Sequence, residues 1–344
     1  MKRLARIPGL KIWTLLLLMA GSLGSCDVVL EEEYEDCAVY VRFKYDMNME
    51  FTDAFAQAVN SVTLYAFDKD GVLAFQKTEE GDLLKQDGYR MRLDGVSHSK
   101  KAEYDFITWA GEPDNESFSI PLMTVGQSTK EDLYCQLNRA GDGIVNDDLE
   151  DLFHGQAENL SFGRSIAPGE DVIIPLTKNT NSIRIILQQV SGKPINVDDF
   201  HFTITDKNGK MNYDNSIMED PQVTYQAWHT GDGKASLDNG QVQQEGITSI
   251  NVAIAEFSTA RLMDELAPVL TITTKEGEQV LSIPLVDCAL LYKREKYSDM
   301  PNQEYLDRED EYNFTFFLDE NNNWISSSII INSWRVVLQN SDLN

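Results

Sequence analysis

Short apolar runs, most of them alternating and each closed by Gly, Pro, Asn or Asp, recur from residue 38 to residue 338. A period of two puts every second side chain on one face of a strand, so such segments need sheet partners. Val39, Val41, Phe43 and Tyr45 share one face of the first run. Residues 61–67 follow, and Asp68-Lys-Asp-Gly71 turns them into residues 72–75 by the D-G signal of a hairpin. Residues 104–109, closed by Gly111-Glu-Pro113, and residues 171–176 continue the texture. Downstream stand residues 183–190, then 200–205 with a turn at Lys207-Asn-Gly209 into 211–213, then 250–257. Residues 269–273 turn at Glu276-Gly277 into 280–285, and a last hairpin joins 312–318 to 324–339. Many short strands between turns predict an all-β chain of tandem β-sandwiches.

Two helical interruptions are expected. Ser128-Thr-Lys-Glu131 has the form of a capping box, with Leu133 and Leu137 at helical spacing and an end near Gly141. Residues 146–153 read as a second short helical turn. At about 100–200 residues per domain, the chain makes two. The join falls near residues 177–181, where Pro175 and the polar Lys178-Asn-Thr-Asn181 interrupt two apolar runs. The expected domains are 37–178 and 179–344.

Charge narrows the partners. Against 29 Lys+Arg stand 56 Asp+Glu, a net charge of −27, and a surface of that sign repels phosphate backbones, which excludes nucleic acid. The basic residues are unevenly placed. Lys2, Arg3, Arg6 and Lys11 precede the apolar Trp13-Thr-Leu-Leu-Leu-Leu-Met-Ala20, and Gly21-Ser-Leu-Gly-Ser-Cys26 ends it. That order is a secretory signal over residues 1–25. Its exit, Leu23-Gly-Ser-Cys26, resembles the bacterial lipobox, which makes Cys26 the expected lipidation site and outer-membrane lipid the expected partner. Two or more acyl chains hold a membrane stably where one does not. A secreted protein with a structural Cys26 is the alternative. Without residues 1–25 the basic residues fall to 25 against 56 acids, a net charge of −31. Residues 26–36, with Glu31-Glu-Glu-Tyr-Glu-Asp36, read as a solvated tether and resemble the acidic export signal that sends Bacteroidetes lipoproteins to the outer face of the outer membrane.

Signals of chemistry are few. Cys37, Cys135 and Cys288 remain after Cys26, an odd number that leaves one thiol free, with Cys37 and Cys135 the candidate disulfide. No Cys spacing suits zinc. Asp68-Lys-Asp-Gly71 and Asp206-Lys-Asn-Gly209 start like calcium loops but lack further oxygen ligands, and both read as hairpin turns. Residues 142–148 form an oxygen-rich loop suited at most to weak cation binding. His98, His154, His201 and His229 are scattered, and no nucleophile, phosphate or dinucleotide motif occurs. The chain is therefore expected to be no enzyme and to need no cofactor or metal. Trp109 and Trp334 sit in apolar strands, as core residues do, whereas Trp228, in Gln226-Ala-Trp-His-Thr-Gly-Asp-Gly233, is the candidate carbohydrate platform.

Several segments, in order along the chain, resemble the FimB/Mfa2 family of fimbrial anchor lipoproteins. They are Cys37-Ala-Val-Tyr-Val-Arg-Phe-Lys-Tyr-Asp46, Val62-Thr-Leu-Tyr-Ala-Phe-Asp-Lys-Asp-Gly71, Leu152-Phe-His-Gly155, Leu176-Thr-Lys-Asn-Thr-Asn181, Asp206-Lys-Asn-Gly209 and Met211-Asn-Tyr-Asp-Asn215. Ala255-Glu-Phe-Ser-Thr-Ala-Arg-Leu-Met263, Gln303-Glu-Tyr-Leu-Asp-Arg308 and Ile329-Ile-Ile-Asn-Ser-Trp-Arg-Val-Val-Leu338 complete the set, with Ser333 where members often have Gly. The resemblance implies two transthyretin-like sandwiches, no enzyme activity, and a place at the base of a pilus among fimbrial shaft pilins. Assembly in such pili proceeds by strand complementation, one subunit's strand completing its neighbour's sheet. Shaft subunits first lose an N-terminal segment after an arginine, and an anchor keeps both segment and lipid. Residues 312–338 are then the expected joint with the pilus, through Ile329, Ile331, Trp334, Val336 and Leu338. The competing reading has this strand complete its own core. Rival functions are a shaft or tip pilin and a surface glycan-binding lipoprotein, with a structural lipoprotein lacking a pilus partner as the plainest alternative.

Overall fold

The alternating segments do become strands. The computed structural model describes residues 39–94, 103–161, 170–236, 249–332 and 334–337. Its first half runs β1 (Val39–Lys44), the one-turn α1 (Phe55–Ala58), β2 (Ser61–Asp68), β3 (Leu73–Glu80), β4 (Met91–Leu93), β5 (Glu103–Gly111) and β6 (Phe118–Ser119). Then come β7 (Tyr134–Leu137), β8 (Ile144–Val145), β9 (Leu152–Ser161) and β10 (Asp171–Lys178). The second half runs β11 (Thr180–Gln189), β12 (Phe200–Asp206), β13 (Lys210–Asn212), β14 (Val223–Gln226), β15 (His229–Ser236), β16 (Ser249–Ala260), β17 (Val269–Thr274) and β18 (Gln279–Pro284). It ends with α2 (Leu285–Lys296), α3 (Asn302–Arg308), β19 (Glu311–Leu318), β20 (Trp324–Ile331) and β21 (Trp334–Val337).

A seven-stranded sheet, β3-β2-β5-β9-β10-β1-β4, holds the first half. The second has a six-stranded sheet, β15-β16-β11-β19-β20-β21, and a five-stranded one, β18-β17-β12-β14-β8. Period-two alternation sorts the side chains of β2 onto two faces. Val62, Leu64 and Ala66 join a core with Val41, Phe106 and Ile174. Tyr65 and Phe67 face the other way, into a larger core that continues through Trp109, Leu137 and Tyr225 to Phe314. The halves also exchange strands. β13 pairs with β7 in a small third sheet, β13-β7-β6, and β8 joins β14 in parallel. A single residue, Asn179, separates β10 from β11.

Three expectations fail locally. The capping box expected at Ser128 and Glu131 forms one residue later, between Thr129 and Asp132, and closes only the 3-10 turn Lys130–Asp132. Leu133, Cys135 and Leu137 then point inward with at most 1% exposure, at a period of two, and β7 follows in place of the expected helix. Residues 146–151 carry no helical turn, because Asp148 and Glu150 reach across to Ser258 and to the backbone of Glu116. The turn at Asp206 is not a hairpin, since β12 pairs with β14 and β17 while β13 pairs with β7. By contrast the turn at Asp68 is one: its Oδ1 accepts from the N–H groups of Asp70 and Val72, and Gly71 takes φ +76°.

Candidate functional site

Most of the motif segments, those at 152–155, 176–181, 206–215, 255–263 and 303–308 among them, converge at the junction of the two halves. Arg261, at the end of β16, clamps Asp307 of α3 with two bonds of 2.8 Å and gives a third, also 2.8 Å, to the carbonyl of Asn215. Asn215 sits at φ +66°, and its amide exchanges two hydrogen bonds, 2.7 and 3.2 Å, with that of Asn179. Asn208 donates to the carbonyls of Ala260 and Arg261 at 3.0 and 3.1 Å and accepts from the Tyr225 hydroxyl at 2.7 Å. The Ala260 N–H in turn donates to that hydroxyl. These bonds pair donors with acceptors inside the protein, which is what lets polar groups be buried at little loss.

The same belt ties in the first half. His154, on β9, donates from Nε2 to the carbonyl of Tyr213 at 2.8 Å, and burial holds it neutral with a pKa near 4. Burial alone would lower the pKa of Lys178, but Asp310 and Asp151, 2.8 and 2.9 Å away, push it up. Arg308 reaches the carbonyls of Asp46 and Asn48. Gly155 earns its place by proximity: a Cβ there would lie 2.5 Å from the carbonyl oxygen of Pro175. Most of these groups are spent on one another, as suits a belt that holds surfaces together; the buried Asp206 Oδ2 and Thr259 Oγ1 have no partner among the described residues. The belt's segments are recognisable singly in the sequence, but only the fold brings them together.

The terminal hairpin is divided between core and edge. Ile329 and Ile331 are fully buried beside Phe314 and Phe316, so their side chains complete this chain's own core, as the competing reading holds. Trp334 and Val336 lie on β21, paired with Ile331 and Ile329, and among the described residues β21 is the last strand of its sheet. Leu338 falls outside the described residues. Asn332, at φ +47°, pins the turn by exchanging two hydrogen bonds with the backbone of Asn313 and donating to Glu309. Burial pushes the Glu309 carboxyl up to about 7.

Trp228 stands beside a groove of 340 Å³ on the outer face of the six-stranded sheet, 41% exposed. Ser182 and Arg184 of β11, Glu256 of β16, and Glu311 and Asn313 of β19 line the floor, with Asp148 at the rim. Cys135 and Cys288 are buried free thiols whose pKa burial raises; Cys26 and Cys37 lie outside the described residues, so the candidate pair is not visible. His201 and His229 are exposed and apart, and His98 is not described. Among the described residues no three His, Cys, Asp or Glu side chains gather as a metal site, and no helix is long and apolar enough to cross a membrane.

The family model of fimbrillin-A associated anchor proteins Mfa1 and Mfa2 matches residues 34–340, a span that takes in every segment of the belt. The chain belongs to this family. A curated relative, the minor fimbrium anchoring subunit Mfa2 of Porphyromonas gingivalis, is 22% identical over 217 residues, and the match spans 61% of this chain and 63% of the relative's length. An adhesin candidate of known structure from Bacteroides thetaiotaomicron is 33% identical, covering 88% of this chain and 97% of its own, with a TM-score of 0.75. The fimbrial anchor protein Mfa2 of P. gingivalis shares the fold, with a TM-score of 0.64 over 88% of this chain and 99% of its own at 16% identity. The Mfa2 family is a class of structural fimbrial anchors and not of enzymes, and its all-β sandwich architecture is the one that the alternating runs predict.

Proposed function

We propose that this chain holds a fimbria to the outer membrane and ends the fibre at its base. Cys26 carries the lipid, residues 26–36 form the tether, and a shaft pilin pairs with the free edge of β21. The family match along residues 34–340 carries this reading. Among the described residues β21 pairs with β20 alone, which supports the joint, because an edge strand presents unpaired N–H and C=O groups to a partner strand. The burial of Ile329 and Ile331 limits the contact to β21, since β20 cannot leave without opening the core.

Truncation after Ser333 tests the joint. The shortened chain is expected to keep its fold by circular dichroism and protease resistance, and to shed pili into the medium. If it folds and still retains pili, the joint is elsewhere. Cys26→Ala tests the anchor separately: the protein itself should leave the membrane fraction, and acylated Cys26 should be found by mass spectrometry in the parent chain only.

A further inference from the structure

We propose that the groove beside Trp228 binds a neutral carbohydrate, one sugar ring stacking on the indole with its hydroxyls on the sheet floor. The inference is independent of the anchoring role. Among the described residues most aromatic side chains are buried; Trp228, 41% exposed, differs from the exposed Phe51 in lining a groove. The indole flanks a groove of 340 Å³, which has room for one or two pyranose rings.

The floor decides the chemistry. Arg184 is central, because β11 lies between β16 and β19, and it is paired with Glu256 Oε1 through its Nε at 2.8 Å and its Nη2 at 2.5 Å, which leaves Nη1 for the groove's ligand. That pair uses only one oxygen of Glu256. Asp148 likewise spends one oxygen, on the Ser258 hydroxyl at 2.8 Å. The side chains of Glu311, Asn313 and Ser182 make no hydrogen bond within the described residues. Acceptors and donors therefore lie intermixed and unspent around an apolar platform. An anionic ligand meets three carboxylates, and a cation over the floor meets Arg184. A polyol gains from both, donating its O–H groups to the carboxylates and accepting from guanidinium and amide. Its apolar C–H face matches the indole. Protein ligands offer fewer groups that both donate and accept.

Affinity electrophoresis of the purified full chain tests this, in gels cast with yeast mannan, amylopectin, mixed-linkage β-glucan or, as the anionic control, polygalacturonate. Retardation is expected in at least one neutral gel and absent with polygalacturonate. Trp228→Ala should abolish it, and Glu311→Gln should weaken it by about tenfold, both with unchanged melting temperature because both side chains are at the surface. No retardation in any neutral gel overturns the proposal, as does retardation that survives Trp228→Ala. Loss of pilin binding in Trp228→Ala without any glycan binding overturns it too and assigns the groove to a protein partner.

Discussion

The core around Val41, Phe106 and Ile174 is built from packed aliphatic and aromatic side chains, whereas the larger core is closed at the junction by Arg261, Asp307 and three asparagines. An apolar core accepts any shape that fills it, so it supplies stability and tolerates repacking. A hydrogen-bonded belt accepts one arrangement of donors and acceptors, so it specifies how two sheets meet. The family's recurrent segments fall mostly on the belt, which suggests that what they encode is the junction and not a reactive centre.

Mutations should separate the two. Asp307→Ala strands the Arg261 guanidinium, only 9% exposed, and is expected to cost about 3–5 kcal/mol in urea unfolding. The double change Arg261→Met with Asp307→Leu should cost far less; if it costs as much as the single change, the pair is not what closes the junction. Leu64→Ala, in the apolar core, is expected to cost about 2–5 kcal/mol and Leu64→Met less than about 1.5 kcal/mol. Asn179→Ala, which leaves the buried Asn215 amide unpaired, should cost about 1–3 kcal/mol; a neutral result would show that water substitutes freely there.

The smallest effect is a dependence on pH. The Glu309 carboxyl, raised from 4.5 to about 7, keeps its proton in the folded chain where the unfolded chain has lost it. Its contribution to stability is whole below pH 4.5 and is lost as pH rises through 7. Glu309→Gln should therefore raise the melting temperature at pH 8, by roughly 1–2 kcal/mol of stability, and leave it unchanged at pH 4.5. His154 runs the other way: held down near 4, it contributes above pH 6.5 and is lost as pH falls through 4. A His154 variant that retains the acid-side loss would assign that loss to carboxylates.

Much of the fold was legible because a strand buried on one face writes a period of two into the chain, as in β1 and β12. Helix α2 was not, because it starts directly from β18 with Pro284 at its N-cap, no side-chain cap, and burial on nearly every side. Its Leu285-Val-Asp-Cys-Ala-Leu-Leu reads as another apolar run. At Leu133 and Leu137 the spacing of four fits helix and strand alike, and only pairing with β6 and β13 decides for the strand. The junction was invisible for a different reason: Arg261 meets Asp307 and Asn215 across 46 residues in either direction, and Asn181 meets the carbonyl of Ala260 across 79. Composition and periodicity carry no signal over such distances. Trp228 is exposed as expected, but not in the loop that residues 226–233 read as: His229 already begins β15, paired with β16, because glycines at 231 and 233 do not prevent strand pairing.

The exchange of β13 and β14 for β7 and β8 constrains the order in which the chain folds. Tyr65, Phe67, Ile107 and Trp109 present an apolar sheet face whose cover includes residues beyond 180. A chain emerging N-terminus first therefore carries that face open until β13 and β14 arrive. Contacts of such long sequence separation form slowly, and the exposed intermediate is prone to aggregate. The full chain should thus depend on a holding chaperone until the strands from residue 210 onward are made, and fragments ending near residue 178 should aggregate and not persist as a folded half.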